Sequence, residues 1–334
     1  MSPPPDPTPA GGGEPLPRRV LRSGGGRPSA SGGVRSLGRL LAYLPAFAPI
    51  AILAGMFGVL VYACKLTLLP DFFSMQWDPP ANQWGVGVFV AGSFITAVPA
   101  LILSMAIGLG IAIASTTYLP RFVSRLLDPF VDLLAGIPSV VYGIWAFIVV
   151  GPVLGKVINP WVFAHFHTVP GFGAPEGSEL GTGLPLALIV LTLMALPITT
   201  LLIRDALRSV PKDLWESGLA LGATRWEVTR RVAIPYSLRG IVSAAFLGFG
   251  RAFGETVAVA MVIGSIPALP DNAYAPTYTI AAAMFQLLDS SFSDHQFLVV
   301  LTEMALVLMV ITLVVNLVGR RLISNLTHFD VPGL

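Results

Sequence analysis

The sequence predicts an all-α integral membrane protein of about six transmembrane helices, with one prominent polar loop between two of them. Three observations carry this. Hydrophobic residues fill 54% of the 334 positions and charged residues only 11%, whereas soluble domains are about 25% charged. Six apolar runs reach the roughly 20 residues that a bilayer crossing requires. Lysines and arginines are strongly skewed towards one set of loops, which assigns those loops to one side of the membrane.

The apolar runs fall at 44–64, 86–115, 133–153, 184–203, 241–266 and 297–318. The second is about 30 residues, or about 45 Å at the helical rise, so it must tilt, kink at Pro99 or extend past the bilayer. Pro99, Pro138 and Pro197 each interrupt an apolar run and free backbone carbonyls that neighbours must satisfy, so kinks are expected.

Charge placement gives the orientation. Arg18, Arg19, Arg22, Arg27, Arg35 and Arg39 precede the first run, Arg121 and Arg125 follow the second, Arg204 through Arg239 surround the polar loop, and Arg320 and Arg321 follow the sixth. The intervening loops hold Lys65 and Lys156. Both termini and the polar loop are therefore expected in the cytoplasm, with the chain multi-pass in the cytoplasmic membrane. Topology and attraction to lipid headgroups account for the basic loops, and no nucleic acid is called for. Residues 1–36, rich in Pro, Gly, Ser and Arg, read as a disordered cytoplasmic tail, leaving 37–334 as the transmembrane domain. A cleaved signal peptide is not expected, because the first apolar run starts some 40 residues in and is long enough to span. Cys64, the single cysteine, cannot form an internal disulfide and reads as an apolar filler.

The polar loop, about 205–239, contains Asp213 to Pro235, DLWESGLALGATRWEVTRRVAIP. It reads as two short helices joined at a glycine. Asp213 caps the first with Glu216 three residues on, Gly222 suits a left-handed stop, Thr224 with Glu227 makes a capping box, and Pro235 ends the second helix. Leu214, Trp215, Leu219, Leu221, Trp226 and Val228 are too many apolar residues for a free loop and suit insertion into a groove on a partner.

The outer loops, 154–183 and 267–295, are long enough to carry local structure. His165, His167, Glu176 and Glu179 in the first are too scattered to predict a metal site. In the second, residues 277–288 form an apolar stretch of only three turns, too short to span and expected to be re-entrant or interfacial.

Within the fifth run stand Arg251 and Glu255, followed by Thr256. Charges at membrane depth are costly and face a bundle interior or a water-filled path. At i and i+4 on a continuous helix the two share one face, and Gly250 with Gly254 makes a GxxxG that admits a second backbone. They read either as a structural ion pair or as a polar station on a transport path, where the fixed charge of Arg251 points to an anion. Glu303 reads as a pore residue or a partner of Lys65 or Lys156, and Asp128 and Asp132 as a local network with Arg121 and Arg125.

No GxxxxGK[ST] loop is present, so any ATP must be bound by another chain. HExxH and GxSxG are absent, Ser139 and Tyr142 have no histidine at membrane depth, and His165, His167, His295 and His328 lie in loops or the tail. No catalytic residue and no cofactor are assigned to this chain. A self-contained channel or secondary transporter would leave the polar loop unexplained.

The residues Glu216, Ser217, Gly218, Gly222, Val232, Ile234 and Pro235 resemble the cytoplasmic signature of permease subunits of bacterial ABC importers: Glu-Ala-Ala, a glycine four residues later, then aliphatic-x-aliphatic-Pro. Ser-Gly replaces Ala-Ala here. Gly250 to Ser265, GRAFGETVAVAMVIGS, and Gly136 to Gly143, GIPSVVYG, are similar to phosphate importer permeases of the PstC type. Sulfate and molybdate permeases tend to have Glu-Phe-Gly at Glu255-Thr256-Val257, and the sister PstA type Glu-Thr-Ala-Pro. The resemblance implies the ABC importer permease fold, phosphate as cargo, and coupling through 213–235 to a separate ATPase. It further implies a PstA-type permease as partner, two ATPase subunits holding ATP and magnesium, and an extracytoplasmic phosphate-binding protein. A permease for sulfate or molybdate, or a non-transporting receptor or structural subunit, stands as the alternative. Phosphate still carries a proton at neutral pH, so a carboxylate beside an arginine would accept a hydrogen bond from it while repelling sulfate.

Overall fold

In a bilayer each backbone polar group must be satisfied within its own segment, and apolar runs therefore become helices. The computed structural model describes residues 31–64, 73–172 and 180–326. Among them are six helices long and apolar enough to cross a membrane, Phe47–Cys64, Gly87–Tyr118, Ser139–Phe166, Leu184–Arg208, Arg225–Phe253 and His295–Asn325.

The chain divides into two units, Met1–Gly55 and Met56–Leu334. Helix α1 (Ser31–Cys64) begins in the first and opens six residues inside the segment assigned to the tail; residues 1–30 lie outside the described residues. In the second unit a short hairpin, β1 (Trp77–Asp78) and β2 (Gln83–Trp84), pairs Trp77 with Trp84 and Asp78 with Gln83. It leads into α2 (Gly87–Ile113), α3 (Arg121–Gly136), α4 (Ser139–Trp145), α5 (Gly151–Val153), α6 (Asn159–Phe166) and α7 (Leu184–Arg208). Then come α8 (Lys212–Ala220), α9 (Arg225–Val228), α10 (Ile234–Phe253), α11 (Val257–Val262), α12 (Ile280–Leu287), α13 (Ser290–Ser293) and α14 (His295–Asn325). π-turns at Ala114–Tyr118, Ala146–Val150, Leu154–Ile158 and Thr229–Ala233 join several of these into longer helices.

The centre of the second unit is α7, packed between α2 and α10. Its crossing with α2 is polar as well as apolar: the Thr199 hydroxyl sits between the carbonyls of Ala195 (3.1 Å) and, across the interface, Ser104 (3.4 Å). One core cluster joins Phe89, Leu186, Val190, Met194, Val259, Ile263, Ile280 and Met304; a second joins Ala112, Ile113, Ile203, Leu207, Ala233, Ile241 and Ala244.

Two expected spans are corrected. The third does not begin at 133. Residues up to Gly136 belong to α3, an amphipathic helix that keeps Val131 inside and Phe122, Phe130 and Leu133 outside. Pro138, extended at φ −58° and ψ 141°, starts the crossing at Ser139 instead of kinking it; the helix then runs on to Phe166, into the stretch read as outer loop. The fifth is not one helix over 241–266. It starts earlier, at Arg225, stops at Phe253, and resumes as α11 after a break at Gly254–Thr256. Averaged hydropathy passes over a three-residue break. The short stretch expected at 277–288 is α12, whose first half, Ile280 to Ala283, is buried.

Candidate functional site

At one end of the bundle the polar loop forms a rigid knob. The cap of α8 is Pro211, with no side-chain hydrogen bond, and Asp213 sits in the first turn, where its charge complements the helix dipole; it is not the capping residue expected from the sequence. The C-terminal stop is as read: Gly222 has φ +85°. The Ala223 amide donates to the Gly218 carbonyl (3.2 Å) and the Gly222 amide to that of Leu219 (3.0 Å), the paired bonds of a Schellman end. Thr224 and Glu227 form a complete capping box, Glu227 N to Thr224 Oγ1 at 3.3 Å and Thr224 N to Glu227 Oε2 at 2.8 Å.

Pro235 does not end the helix. The Thr229–Ala233 π-turn, closed by the Ile234 amide on the Thr229 carbonyl, shifts the register at which a proline ring would meet the carbonyl four residues earlier. The helix passes straight into α10.

The knob's six apolar residues divide. Leu214 and Trp215 pack on the second core cluster and Val228 is buried against Gly218. Leu219, Leu221 and Trp226 face outward, Leu221 at 89% exposure. Glu216, Ser217, Gly222 and Pro235 are exposed, and Gly218, Val232 and Ile234 half-buried. Arg225 donates to the Thr117 carbonyl (3.4 Å), and Arg239 donates through Nε (3.3 Å) and Nη2 (3.1 Å) to that of Leu326. The ends of α2 and α14 are thereby gathered beside the knob.

The two charges read as intramembrane lie further along the chain. Arg251, twelve residues past Arg239 and so about 18 Å further on, occupies the last turn of α10, half-buried, its Nε enclosed without a hydrogen-bond partner. Glu255 lies in the break, its Oε1 accepting from the Ala258 amide (3.4 Å), and the Thr256 hydroxyl donates to the Gly254 carbonyl (3.2 Å). The expected common helical face is overturned, because the helix ends between the two charges. Nor, among the described residues, does a helix occupy the GxxxG. Both glycines are exposed; a Cβ on Gly250 would meet nothing within 4 Å, and one on Gly254 only the Gly250 carbonyl.

The Gly136–Gly143 and Gly250–Ser265 segments meet. α4 packs on α11, and Tyr142, whose hydroxyl donates to the Leu134 carbonyl (2.9 Å), lies within the field of Arg251. Glu303 is fully buried on α14 with Cys64 within its field, while Lys156 is exposed and Lys65 lies outside the described residues. The side chains of Arg121, Asp128 and Asp132, and Glu176 and Glu179, also lie outside them. Among the described residues no cluster fit to hold a metal occurs; His165 and His167 bond carbonyls of their own helix, Trp161 (2.8 Å) and Phe163 (3.2 Å).

Sequence reasoning missed Gln286. Its Nε2 donates to the Ala260 carbonyl on α11 (2.9 Å) and its Oε1 accepts from the Tyr278 hydroxyl. A single amide in the apolar helix IAAAMFQL was the available signal. At the end of the bundle remote from the knob, a shallow cleft of about 550 Å³ lies between the β1–β2 hairpin and residues 267–271, flanked by Asp78 and Asp271.

The profile of the family described as "Binding-protein-dependent transport system inner membrane component" matches residues 106–328. Two relatives are each named phosphate transport system permease protein PstC. That of Mesorhizobium japonicum is 34% identical over 283 residues, 83% of this chain and 86% of the relative. That of Xylella fastidiosa is 34% identical over 293 residues, 86% and 90%. A chain of the crystal structure of a bacterial alginate ABC transporter, in complex with an alginate-bound periplasmic protein, superposes with a TM-score of 0.57 over 86% of this chain and 92% of that one. At 17% identity, that likeness speaks to the fold alone.

Proposed function

The chain belongs to the binding-protein-dependent transport inner membrane component family, and from that premise we propose that it is the membrane-spanning subunit of an ATP-driven importer carrying inorganic phosphate into the cytoplasm. The observation that carries the cargo is Arg251: a guanidinium at membrane depth, at a helix break, with an enclosed Nε that lacks a hydrogen-bond partner. Such a group needs an anion or a polar partner. The names of the PstC relatives and the Glu-Thr-Val that follows Gly254 favour phosphate over sulfate or molybdate.

Force enters at the knob. Its doubly capped turn is stiff, and Leu219, Leu221 and Trp226 present an apolar edge to an ATPase subunit. Two such subunits, holding ATP and magnesium, serve this chain and a second permease of the PstA type, for which the open face at Gly250 and Gly254 provides close approach. The knob and both termini lie in the cytoplasm by their arginines, and the remote cleft with Asp78 and Asp271 faces the extracytoplasmic binding protein.

Purifying the chain with its copurifying subunits, reconstituting them in vesicles with the binding protein, and measuring ATP-dependent uptake of labelled phosphate, sulfate and molybdate tests this. Phosphate uptake that is lost in Arg251→Ala is expected. Preferential uptake of another oxyanion would replace the cargo, and absence of any copurifying ATPase would remove the importer reading.

A further inference from the structure

We infer that Gln286 is a positioning residue for the anion path, holding α11 closed against α12 through a hydrogen bond to the Ala260 carbonyl while a second bond, from the Tyr278 hydroxyl, orients its side-chain amide. This rests on the importer reading for what passes along the path, but the bonding stands on geometry alone.

α11 is six residues long, Val257–Val262, and its last carbonyls have no partner further along their own helix. Two are met by the chain around it: the Val262 carbonyl accepts from the Gly183 amide (2.9 Å) and that of Ile263 from the Thr277 amide (3.2 Å). The Ala260 carbonyl is met by Gln286 Nε2 at 2.9 Å. An unmet carbonyl at membrane depth is costly, which explains a glutamine in an otherwise apolar helix. The other end of the amide is also committed, since Oε1 accepts from the Tyr278 hydroxyl. The position calls for a donor on one side and an acceptor on the other, which an amide supplies and an uncharged carboxylic acid can reproduce.

What the clamp holds is the path's own wall. α11 begins at the break that carries Glu255 and Thr256, and Glu255 bonds the Ala258 amide, two residues from the carbonyl that Gln286 holds. α12 is in turn fixed to α2, the Ile280 amide donating to Ser93 Oγ (2.9 Å). Gln286 therefore ties the movable break to the static bundle, and its loss should let α11 separate and open the break to the outside.

The test uses the full complex in membranes, with a reporter Thr256→Cys on a Cys64→Ser background and a membrane-impermeant thiol reagent applied from outside. Adding Gln286→Leu removes both bonds and should raise the labelling rate about tenfold, the order set by the bond to the Ala260 carbonyl, the one of the two that reaches α11. Tyr278→Phe keeps the bond to Ala260 while removing the second bond, together with the hydroxyl's contact to Ser265, and should raise it by a smaller factor. Gln286→Glu supplies the decisive arm. As a carboxylate it faces the Ala260 carbonyl without a proton to donate, and labelling should be fast at pH 8; as the pH falls through the carboxyl's titration range, about 4.3 when free, the protonated form restores both bonds, and labelling should fall towards the rate of the Gln286 background.

The elements packed on α12 bring His295 and Glu303, both on α14, and Glu255 precedes α11. Burial pushes the Tyr278 phenol up to about 12, so it stays a donor throughout. Taking the ratio to the Gln286 background at each pH cancels these groups and the reporter's own ionisation. Equal labelling with and without Gln286→Leu, or a Gln286→Glu ratio that does not change with pH, would overturn the clamp. Neither outcome depends on which anion is carried, so failure of the phosphate reading shows separately, in wild-type uptake.

Discussion

A Cβ built on Gly143 would stand 3.0 Å from the Cα of Ala258 and 2.9 Å from Sδ of Met261. α4 and α11 thus touch backbone to backbone, at a position where only hydrogen fits. Gly143→Val adds three carbons into that contact. Met261 Sδ can swing away but the Ala258 backbone cannot, so a destabilisation of about 1–3 kcal/mol is expected. Thermal denaturation of the purified complex, together with uptake, checks it: a lower midpoint and impaired transport are expected, and an unchanged midpoint would show that α4 and α11 can part without cost.

The knob makes a different demand. Gly222 lies at φ +85° with open space around its Cβ position, so a side chain there is opposed by backbone strain and not by crowding. Gly222→Val should strain the turn by about 1–2 kcal/mol, misalign α8 against α9 and uncouple uptake from ATP hydrolysis while the chain still inserts. Thr224→Ala should cost about 1 kcal/mol through the lost cap, and Thr224→Ser little. Wild-type coupling in Gly222→Val would remove the knob from the transmission path.

Orientation is open to a direct check. Lys156, Thr224 and Asp289 are all exposed. On a Cys64→Ser background, single cysteines at Lys156 and Asp289 should react with an impermeant reagent applied to intact cells, and one at Thr224 only after the membrane is opened. Reaction at Thr224 from outside would invert the chain and reassign every partner to the opposite face.

Some of this architecture was legible from residues alone because the cause is local. Gly222 and the Thr224–Glu227 box are dictated within four residues, and six crossings follow from apolar length. The departures are non-local or compensated. Pro235 reads as a stop until the π-turn before it removes the clash. Residues 133–136 read as membrane until the extended Pro138 assigns them to α3. The break after Phe253 rests on three residues that hydropathy averages away, and the bond between Gln286 and Ala260 joins positions 26 residues apart, which no spacing rule reaches.

That break bears most on the two charges. Arg251 stands in the last turn of α10 and Glu255 in the break beyond it, its carboxylate held by the Ala258 amide, so each can act on a passing anion by itself. Arg251→Ala should abolish uptake, and Arg251→Lys should restore little, since a point ammonium lacks the planar fork of the guanidinium. Glu255→Gln keeps the oxygen that caps α11 and so should preserve the fold, but it removes the charge that repels a fully deprotonated oxyanion. Phosphate passage should fall while discrimination against sulfate and molybdate relaxes. Because the binding protein filters upstream, the comparison belongs in a reconstituted complex assayed for passage of each anion. Were Glu255→Gln to lower all anions equally, and were Arg251→Glu combined with Glu255→Arg to recover transport, the two residues would be a structural pair and the selectivity claim would fall. The broken helix predicts the opposite: the swapped pair, with the fixed positive charge moved into the break and a carboxylate at the end of α10, should not transport.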